Sequence, residues 1–316
     1  MIILIVITLN FLIPRVMPGD PLINVLGEDA ALADPALIAK LELKYGLDSS
    51  LWDQYLDYIG ALFQFDLGYS IDKSSQVSEL ISENMCNTLL LILPALAISS
   101  AVSLLTGSWC GLHRGKFLDR LMTPASIIIY CMPTFMLAMI ALSTFAFHLQ
   151  WFPLGHQSSS GLSGLKAFFD TLYHLALPIT VLTIIGISGK HLVLRNSVMQ
   201  IADEDFILVA RSKGYNEETI VKRHVLRNVL PPFIAMVALN VGLLVEGAVI
   251  IEIIFSLNGM GTLLYDAVMY RDYPLIQGCF LVLTFTVLIS NLVADILYGL
   301  ADPRIRDSAR CSEEIR

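Results

Sequence analysis

The stretch EDFILVARSKGYNEETIVKRH, residues 204–224, is the most highly charged sustained segment of a chain that is otherwise strongly apolar. Asp203 is expected to be the N-cap of a first helix. Glu204 and Asp205 fall in its first turn, where carboxylates favour the positive end of the helix dipole. Gly214 supplies a left-handed C-terminal stop. The stretch therefore predicts that a short surface helix ends in a glycine turn.

A second helix is expected directly after that turn, over NEETIVKRHVLRNVL, with Asn216 as its N-cap. Its acidic residues come early and its basic residues late, which matches the helix dipole. Four residues of the first helix are expected on one face: Phe206, Val209, Ala210 and Lys213. The hairpin would either rest on the membrane surface as an amphipathic loop or present its first helix to a groove on a soluble partner.

The composition predicts an integral membrane protein, because 55% of the residues are hydrophobic and only 15% are charged. Five apolar runs are long enough to cross a bilayer, which takes about 20 helical residues. These runs are Thr88 to Leu112, Leu121 to Leu149, Leu172 to Gly189, Val229 to Ile254 and Leu275 to Leu300. Residues 1–17 are predicted as a shorter first transmembrane helix, which is N-terminally incomplete. Six transmembrane helices are therefore expected in an all-α membrane protein.

The distribution of basic residues predicts the orientation of these helices. Segments 113–120, 190–228 and 301–316 hold 14 of the 20 Lys and Arg residues, whereas the intervening segments 18–87, 150–171 and 255–274 hold 5. Because basic loops stay in the cytoplasm, both termini are predicted to be cytoplasmic. The chain then divides into four parts: 1–17, a first helix; 18–87, an extracytoplasmic helical segment; 88–300, a transmembrane core with the cytoplasmic loop 190–228; and 301–316, a cytoplasmic tail.

Ionisable residues inside the apolar runs are candidates for function, since burying them without a partner costs several kcal/mol. Glu246 and Asn240 are predicted to line a translocation path, with a helix-to-helix hydrogen bond as the alternative. Glu252, near the outer end of the run from Val229 to Ile254, is predicted to be structural. Asp295 in the last run is also predicted to be structural, with Lys190 or Arg195 as its partner.

Several classes of chemistry lack their sequence patterns in this chain. The nearest approach to a phosphate-binding loop, Gly115-Lys116, is followed by Phe117 and has Cys110 where the first glycine belongs. No two histidines are spaced four apart, and no catalytic constellation lies at membrane depth. We therefore expect no enzyme activity, no metal site and no resident cofactor in this chain.

The hairpin resembles the conserved cytoplasmic "EAA" loop of binding-protein-dependent ABC importer permeases, through Ala210 and Gly214 in LVARSKG. Leu208 and Val209 replace the Glu-Ala of that pattern, and Arg227 replaces its proline. Further segments are similar, in order, to the dipeptide, oligopeptide and nickel branch: MPGDP, KYGLD, QYLDYIG, DLGYS, MPTFMLAMIAL, WFPLG, DEDFILVARSKG, VIIEIIFSLNGMG, RDYPLIQG and NLVADILYGLADPRIR.

The resemblance implies the type I ABC importer permease fold in a prokaryotic cell membrane. It implies a second, homologous permease subunit, two cytoplasmic ATPase subunits that carry ATP and magnesium, and an extracytoplasmic substrate-binding protein. Nucleic acid is not among the expected partners. The residues expected to couple to the ATPase are Glu204, Asp205, Phe206, Val209, Ala210, Arg211 and Gly214.

Two alternatives to a peptide importer remain open at this point. Permeases resembling this chain also carry nickel or metal chelates, and the sequence does not separate these substrates from peptides. An ion-coupled secondary transporter is the competing class. Such a carrier would have clustered acids near the midplane and glycine- or proline-broken helices in matching halves.

Overall fold

The computed structural model describes residues 2–17, 48–159 and 163–301. Within them, the side chains of residues 2, 3, 243–247, 298, 300 and 301 lie outside the description. Residues 18–47 of the predicted outer segment and the tail 302–316 also lie outside the described residues.

The described residues are mainly helical, and their only bridge of strand type is an isolated pair between Tyr69 and Gln76. The helices, in chain order, are α1 (Ile2–Val16), α2 (Leu51–Phe63), α3 (Val77–Leu112), α4 (Phe117–Cys131), α5 (Thr134–Ala141), α6 (Leu165–Ala202), α7 (Asp205–Ser212), α8 (Glu217–Thr219), α9 (Leu226–Ile254), α10 (Met260–Met269) and α11 (Tyr273–Ala301). Within the described residues, two segments are π-helical: π1 (Leu142–His148), which continues α5, and π2 (Ile220–Val225), which joins α8 to α9.

Four of the described helices are long and apolar enough to span a membrane, and a bent pair raises that number to five. They are Val77–Leu112, Leu165–Ala202, Glu217–Gly242 and Tyr273–Leu297, with the pair Phe117–Cys131 and Thr134–His148. The predicted first helix contains the shorter apolar helix Leu4–Val16. A bundle of membrane-spanning α-helices is therefore confirmed.

Two spanning helices are longer than their apolar runs. Helix α3 begins at Val77 rather than Thr88, because Glu79 suits a first helical turn and Val77 itself is buried. Helix α6 continues past Gly189 to Ala202, with Leu194 and Val198 buried on the extension. Hydropathy ends where charge begins, but charged residues do not end a helix.

The predicted span from Leu121 to Leu149 is broken in the middle. Its two halves meet at Pro133 with a bend of 105°. Proline has no N–H to donate and disfavours helical geometry in the preceding residue, so Met132 is extended, at φ −79° and ψ 134°. The run predicted as one transmembrane segment therefore comprises two helices, α4 and α5, which meet at a sharp bend.

The described chain separates into two compact units, and the first comprises residues 1–88 and 258–286. Its apolar core is formed by Val77, Ile81, Met260, Leu263, Ala267, Leu275, Ile276 and Cys279. Asp272 is buried at the start of α11, where its carboxylate accepts hydrogen bonds from the Ser70 hydroxyl (2.6 Å), the Asp72 N–H (3.0 Å) and the Leu275 N–H (3.2 Å). One acid thereby caps α11 and holds the loop before α3.

The second unit comprises residues 89–257 and 287–316. Close approach of α3 to α6 is possible because glycines face the larger residues of α6. A Cβ atom on Gly111 would lie 2.7 Å from the Cβ of Val198, and one on Gly107 would lie 3.1 Å from the Cβ of Leu194. The charged hairpin belongs to this unit.

Candidate functional site

The charged hairpin is fixed to its unit by a buried apolar cluster, which we call the hairpin core. It consists of Leu194, Val198, Ile207, Ala210, Ile220, Val225, Val229 and Phe233. The hairpin's first helix, α7, contributes Ile207 and Ala210, which are 1% and 4% exposed. Residues three apart lie on one helix face, so this pair forms the inward side of α7.

The outward side of α7 carries three large apolar side chains, which we call the exposed patch. Phe206, Leu208 and Val209 are 43%, 64% and 51% exposed. Of the four residues predicted on one face, Phe206, Val209 and Lys213 are exposed, whereas Ala210 is buried in the hairpin core. A bilayer accounts for exposed apolar residues on spanning helices, but α7 lies outside the spans.

The turn between the two hairpin helices has the predicted chemistry. Gly214 has a positive φ of 80°, and its N–H donates to the carbonyl of Arg211 at 2.9 Å. Asn216 caps the following helix by accepting a hydrogen bond from the N–H of Thr219 at 2.9 Å. The predicted glycine stop and asparagine cap are both confirmed.

The start of α7 differs from the prediction. Glu204 is the N-cap residue, with an extended backbone and no side-chain capping bond. Asp203 instead ends α6, and its carboxylate pairs with Arg114 at 3.4 Å. Because α6 continues through Ala202, Asp203 is still part of the preceding helix terminus and cannot begin the next one.

Arg211 pairs with Glu217 across the turn. Its Nε and Nη2 donate to the two carboxylate oxygens at 2.9 and 3.2 Å, a geometry that raises the pKa of Arg211. The side chains are 50% and 68% exposed, so the pair contributes at most about 1 kcal/mol. Its geometric effect is to hold α7 against the start of the second helix.

The second hairpin helix runs into the fifth span without a gap, through α8, π2 and α9. A π turn bonds residues five apart instead of four. Ile220 and Val225, which are five apart, are both 1% exposed and both belong to the hairpin core. The wider turn thus lets both residues face the same buried cluster.

Beside the hairpin, Asp119 at the start of α4 pairs with Arg195 of α6. The guanidinium donates from Nη2 to Oδ2 at 3.0 Å and from Nε to Oδ1, and the two side chains are only 16% and 5% exposed, in the order Arg195 and Asp119. Asp119 also accepts the Gly115 N–H at 2.8 Å and the Thr123 hydroxyl at 2.9 Å. These contacts fix the turn between α3 and α4 to α6.

Comparison with known proteins assigns this chain to a family. A sequence model described as "Binding-protein-dependent transport system inner membrane component" matches residues 103–307. The chain belongs to this family. It is a permease component of an ABC importer.

Relatives of this permease are named as peptide permeases. It is 35% identical to a di/tripeptide transport system permease protein of Pseudomonas aeruginosa over 314 residues, covering 94% of this chain and 93% of that one. It is 34% identical to an oligopeptide transport system permease protein of Bacillus subtilis over 301 residues, with the same coverage of 94% and 93%.

The fold of the permease also matches a solved transporter. Inward-facing MetNI, a methionine ABC transporter, superposes with a TM-score of 0.55 at 15% identity, over 71% of this chain and 97% of that one. The type I ABC importer permease fold is thereby confirmed.

The structure describes the predicted intramembrane residues of this permease to different extents. Asn240 is half-buried, and its Nδ2 donates to the carbonyl of Met236 in the same helix at 2.6 Å. The side chain of Glu246 lies outside the described residues, so its role in the path stays a prediction. Glu252 is 1% exposed, and its backbone carbonyl accepts the Leu257 N–H at 2.8 Å.

The expected partners of Asp295 were wrong. Arg195 is bonded to Asp119, and the Lys190 ammonium donates to the hydroxyls of Ser99 (2.6 Å) and Ser100 (3.3 Å). Asp295 is itself exposed on α11. Lys190 is 3% exposed, a buried position that no sequence pattern indicated. Among the described residues, no group of three His, Cys, Asp or Glu residues is arranged to hold a metal ion.

Proposed function

We propose that this permease forms the translocation path of an ATP-driven importer for di- and oligopeptides. An extracytoplasmic binding protein would deliver the peptide, and a second, homologous permease would complete the path. Two ATPase subunits would drive transport, and one of them would dock at the hairpin on the cytoplasmic side, where both chain termini would also lie. The names of the peptide-permease relatives support the substrate class.

The observation that carries this proposal is the division of α7 into a buried and an exposed side. The hairpin core grips Ile207, and the exposed patch presents Phe206 to solvent. A helix held from behind and apolar in front is suited to a groove on a protein partner. Since the hairpin continues into the fifth span, movement of α7 would be transmitted to the membrane helices.

The geometry favours the exposed patch over the charged residues of α7 as the main source of binding free energy with the ATPase. Arg211 is already paired with Glu217. Glu204 and Asp205 are solvent-exposed, and exposed ion pairs contribute about 0 to 1 kcal/mol each. Burying an apolar side chain such as Phe206 contributes about 1.5 to 3 kcal/mol.

Co-purification tests the docking. Phe206→Glu should release the ATPase subunits from the solubilised complex, because it places a charge in an apolar contact. Phe63→Glu is the matched control, since Phe63 is 83% exposed at the end of α2, which is predicted to lie on the opposite side of the membrane. Equal ATPase retention by both variants would refute the docking role of the patch.

Uptake into proteoliposomes tests the transport reaction. The complete transporter should accumulate a radiolabelled dipeptide only with its binding protein outside and ATP with magnesium inside. Accumulation of nickel but not of the dipeptide would show that the substrate is a metal ion and not a peptide. Uptake driven by a proton or sodium gradient without ATP would instead support a secondary transporter.

A further inference from the structure

The first unit contains a cavity of about 260 Å³ between α1, α2 and the start of α11. Its apolar wall includes Leu62, Ile71 and Leu281, and its polar wall includes Arg15 and Gln277. Ligand pockets for drug-sized molecules measure about 300 to 1,000 Å³. This cavity therefore fits a small ligand, or one end of a larger one.

Arg15 gives the cavity a cation that has no carboxylate partner among the described residues. Its Nε and Nη2 donate to the side-chain oxygen of Gln54 at 3.1 and 3.0 Å, and its Nη1 donates to the carbonyl of Phe11 at 2.9 Å. Its guanidinium also lies 3.6 Å from the centre of the Phe11 ring. A guanidinium has five N–H groups, so two remain for another acceptor. None of the ion pairs among the described residues involves Arg15.

Gln277 adds a second donor without an acceptor. The residue is 8% exposed, and its Nε2 is buried without a hydrogen-bond partner among the described residues. Its backbone carbonyl accepts from Asn10 Nδ2 at 2.8 Å, which fixes this position of α11 against α1. Gln277 is one of the residues that line the cavity, and an unsatisfied buried amide is costly, so a ligand that supplies an acceptor to this amide would be favoured.

We infer that this cavity binds the C-terminal carboxylate of a small peptide. Arg15 and Gln277 supply donors that lack acceptors, and a carboxylate has acceptors only. Two exposed acids, Asp57 and Asp66, also line the cavity and suit the peptide's ammonium group. The inference rests on the proposed function, because it takes the transported peptide as the ligand.

The probe is L-alanyl-L-alanine, titrated calorimetrically into the permease and ATPase complex in nanodiscs, without nucleotide and without the binding protein. We expect alanyl-alaninamide, which lacks the carboxylate, to bind at least tenfold more weakly. Gln277→Leu should weaken dipeptide binding about tenfold, the effect of losing a hydrogen bond to a charged group. Arg15→Lys should weaken it similarly, since an ammonium lacks the two-pronged geometry of a guanidinium.

Gln64→Leu is the matched control, because Gln64 is exposed at the end of α2 and donates to the carbonyl of Gly60 outside the cavity. It should bind the dipeptide normally. Gln277→Leu should also keep or raise the midpoint of thermal unfolding, since it removes an unsatisfied buried donor. Reduced binding with unreduced stability would separate a ligand contact from a structural one.

Three results would overturn the inference: equal affinity for the dipeptide and its amide, equal affinity for acetate and the dipeptide, or normal binding by Gln277→Leu. Normal ATP-driven uptake in a complex that does not bind the probe would reject the cavity site and leave the proposed function standing. Dipeptide binding that depends on Gln277, in a complex without ATP-driven uptake, would support the cavity site and reject the proposed function.

Discussion

The buried ion pair beside the hairpin supports the sharpest stability prediction. Asp119→Asn removes the negative charge and replaces one acceptor oxygen with a donor, while Arg195 stays in place at 16% exposure. Breaking a buried pair by changing one partner costs about 3 to 5 kcal/mol, because the other charge is left uncompensated. The asparagine keeps one acceptor, so we expect a loss of about 3 kcal/mol in the free energy of unfolding.

An exposed pair in the same unit provides the control. Asp203→Asn breaks the contact in which Nη1 of Arg114 lies 3.4 Å from Oδ2 of Asp203. The side chain of Arg114 is 66% exposed and that of Asp203 is 73% exposed. Such a pair contributes about 0 to 1 kcal/mol. The two variants make the same chemical change, so the difference between them measures the effect of burial together with the additional hydrogen bonds that Asp119 accepts from Gly115 and Thr123.

Reversible unfolding in mixed micelles, with rising denaturing detergent, gives the free energy of unfolding for each variant. The double variant Asp119→Leu with Arg195→Met should recover part of the loss, since it removes both charges and leaves apolar side chains of similar size. Equal losses for Asp119→Asn and Asp203→Asn would refute the reasoning. So would a double variant less stable than Asp119→Asn.

Four further substitutions test the packing, each by thermal unfolding of the purified permease. Gly111→Ala should lower the free energy of unfolding by about 1 to 3 kcal/mol, since its Cβ would lie 2.7 Å from that of Val198. As its control, Gly60→Ala should stabilise α2 by about 0.5 to 1 kcal/mol, because nothing lies within 4 Å of its Cβ. The reverse order of stability would contradict the close approach of α3 and α6. Lys190→Met should leave stability unchanged or raised, because the hydrogen-bond partners of the buried ammonium among the described residues are two hydroxyls in α3. A loss above about 2 kcal/mol would show that the charge is needed. Gly214→Ala should cost about 1 to 2 kcal/mol, because φ is 80° there, and an unchanged midpoint would mean that the turn adopts another conformation.

Chemistry acting within a few residues was readable from the sequence. The glycine stop at Gly214 and the cap at Asn216 follow from φ preference and a side-chain oxygen three residues away, and both are confirmed. Asp203 was misplaced because the same residue types end one helix and begin the next. The break at Pro133 was detectable in principle, since proline disrupts helices, but its 105° bend depends on packing.

Contacts between distant residues were not readable. Asp119 and Arg195 are 76 positions apart, and either acid or base had several possible partners. The inward orientation of Ala210 depends on where α6 and the second hairpin helix lie. The cavity at Arg15 and Gln277 joins opposite ends of the chain, and neither residue forms a recognisable motif there.

The sequence by itself determined that this protein is a helical membrane protein with a charged hairpin, because hydropathy, caps and glycine turns act locally along the chain. Its identity as a permease came from its resemblance to known permeases. Only the tertiary structure decided which side of α7 is exposed, which acid neutralises Arg195, and which donors remain without acceptors. These properties arise from packing between helices, since burial and pairing depend on neighbours that the order of residues does not specify.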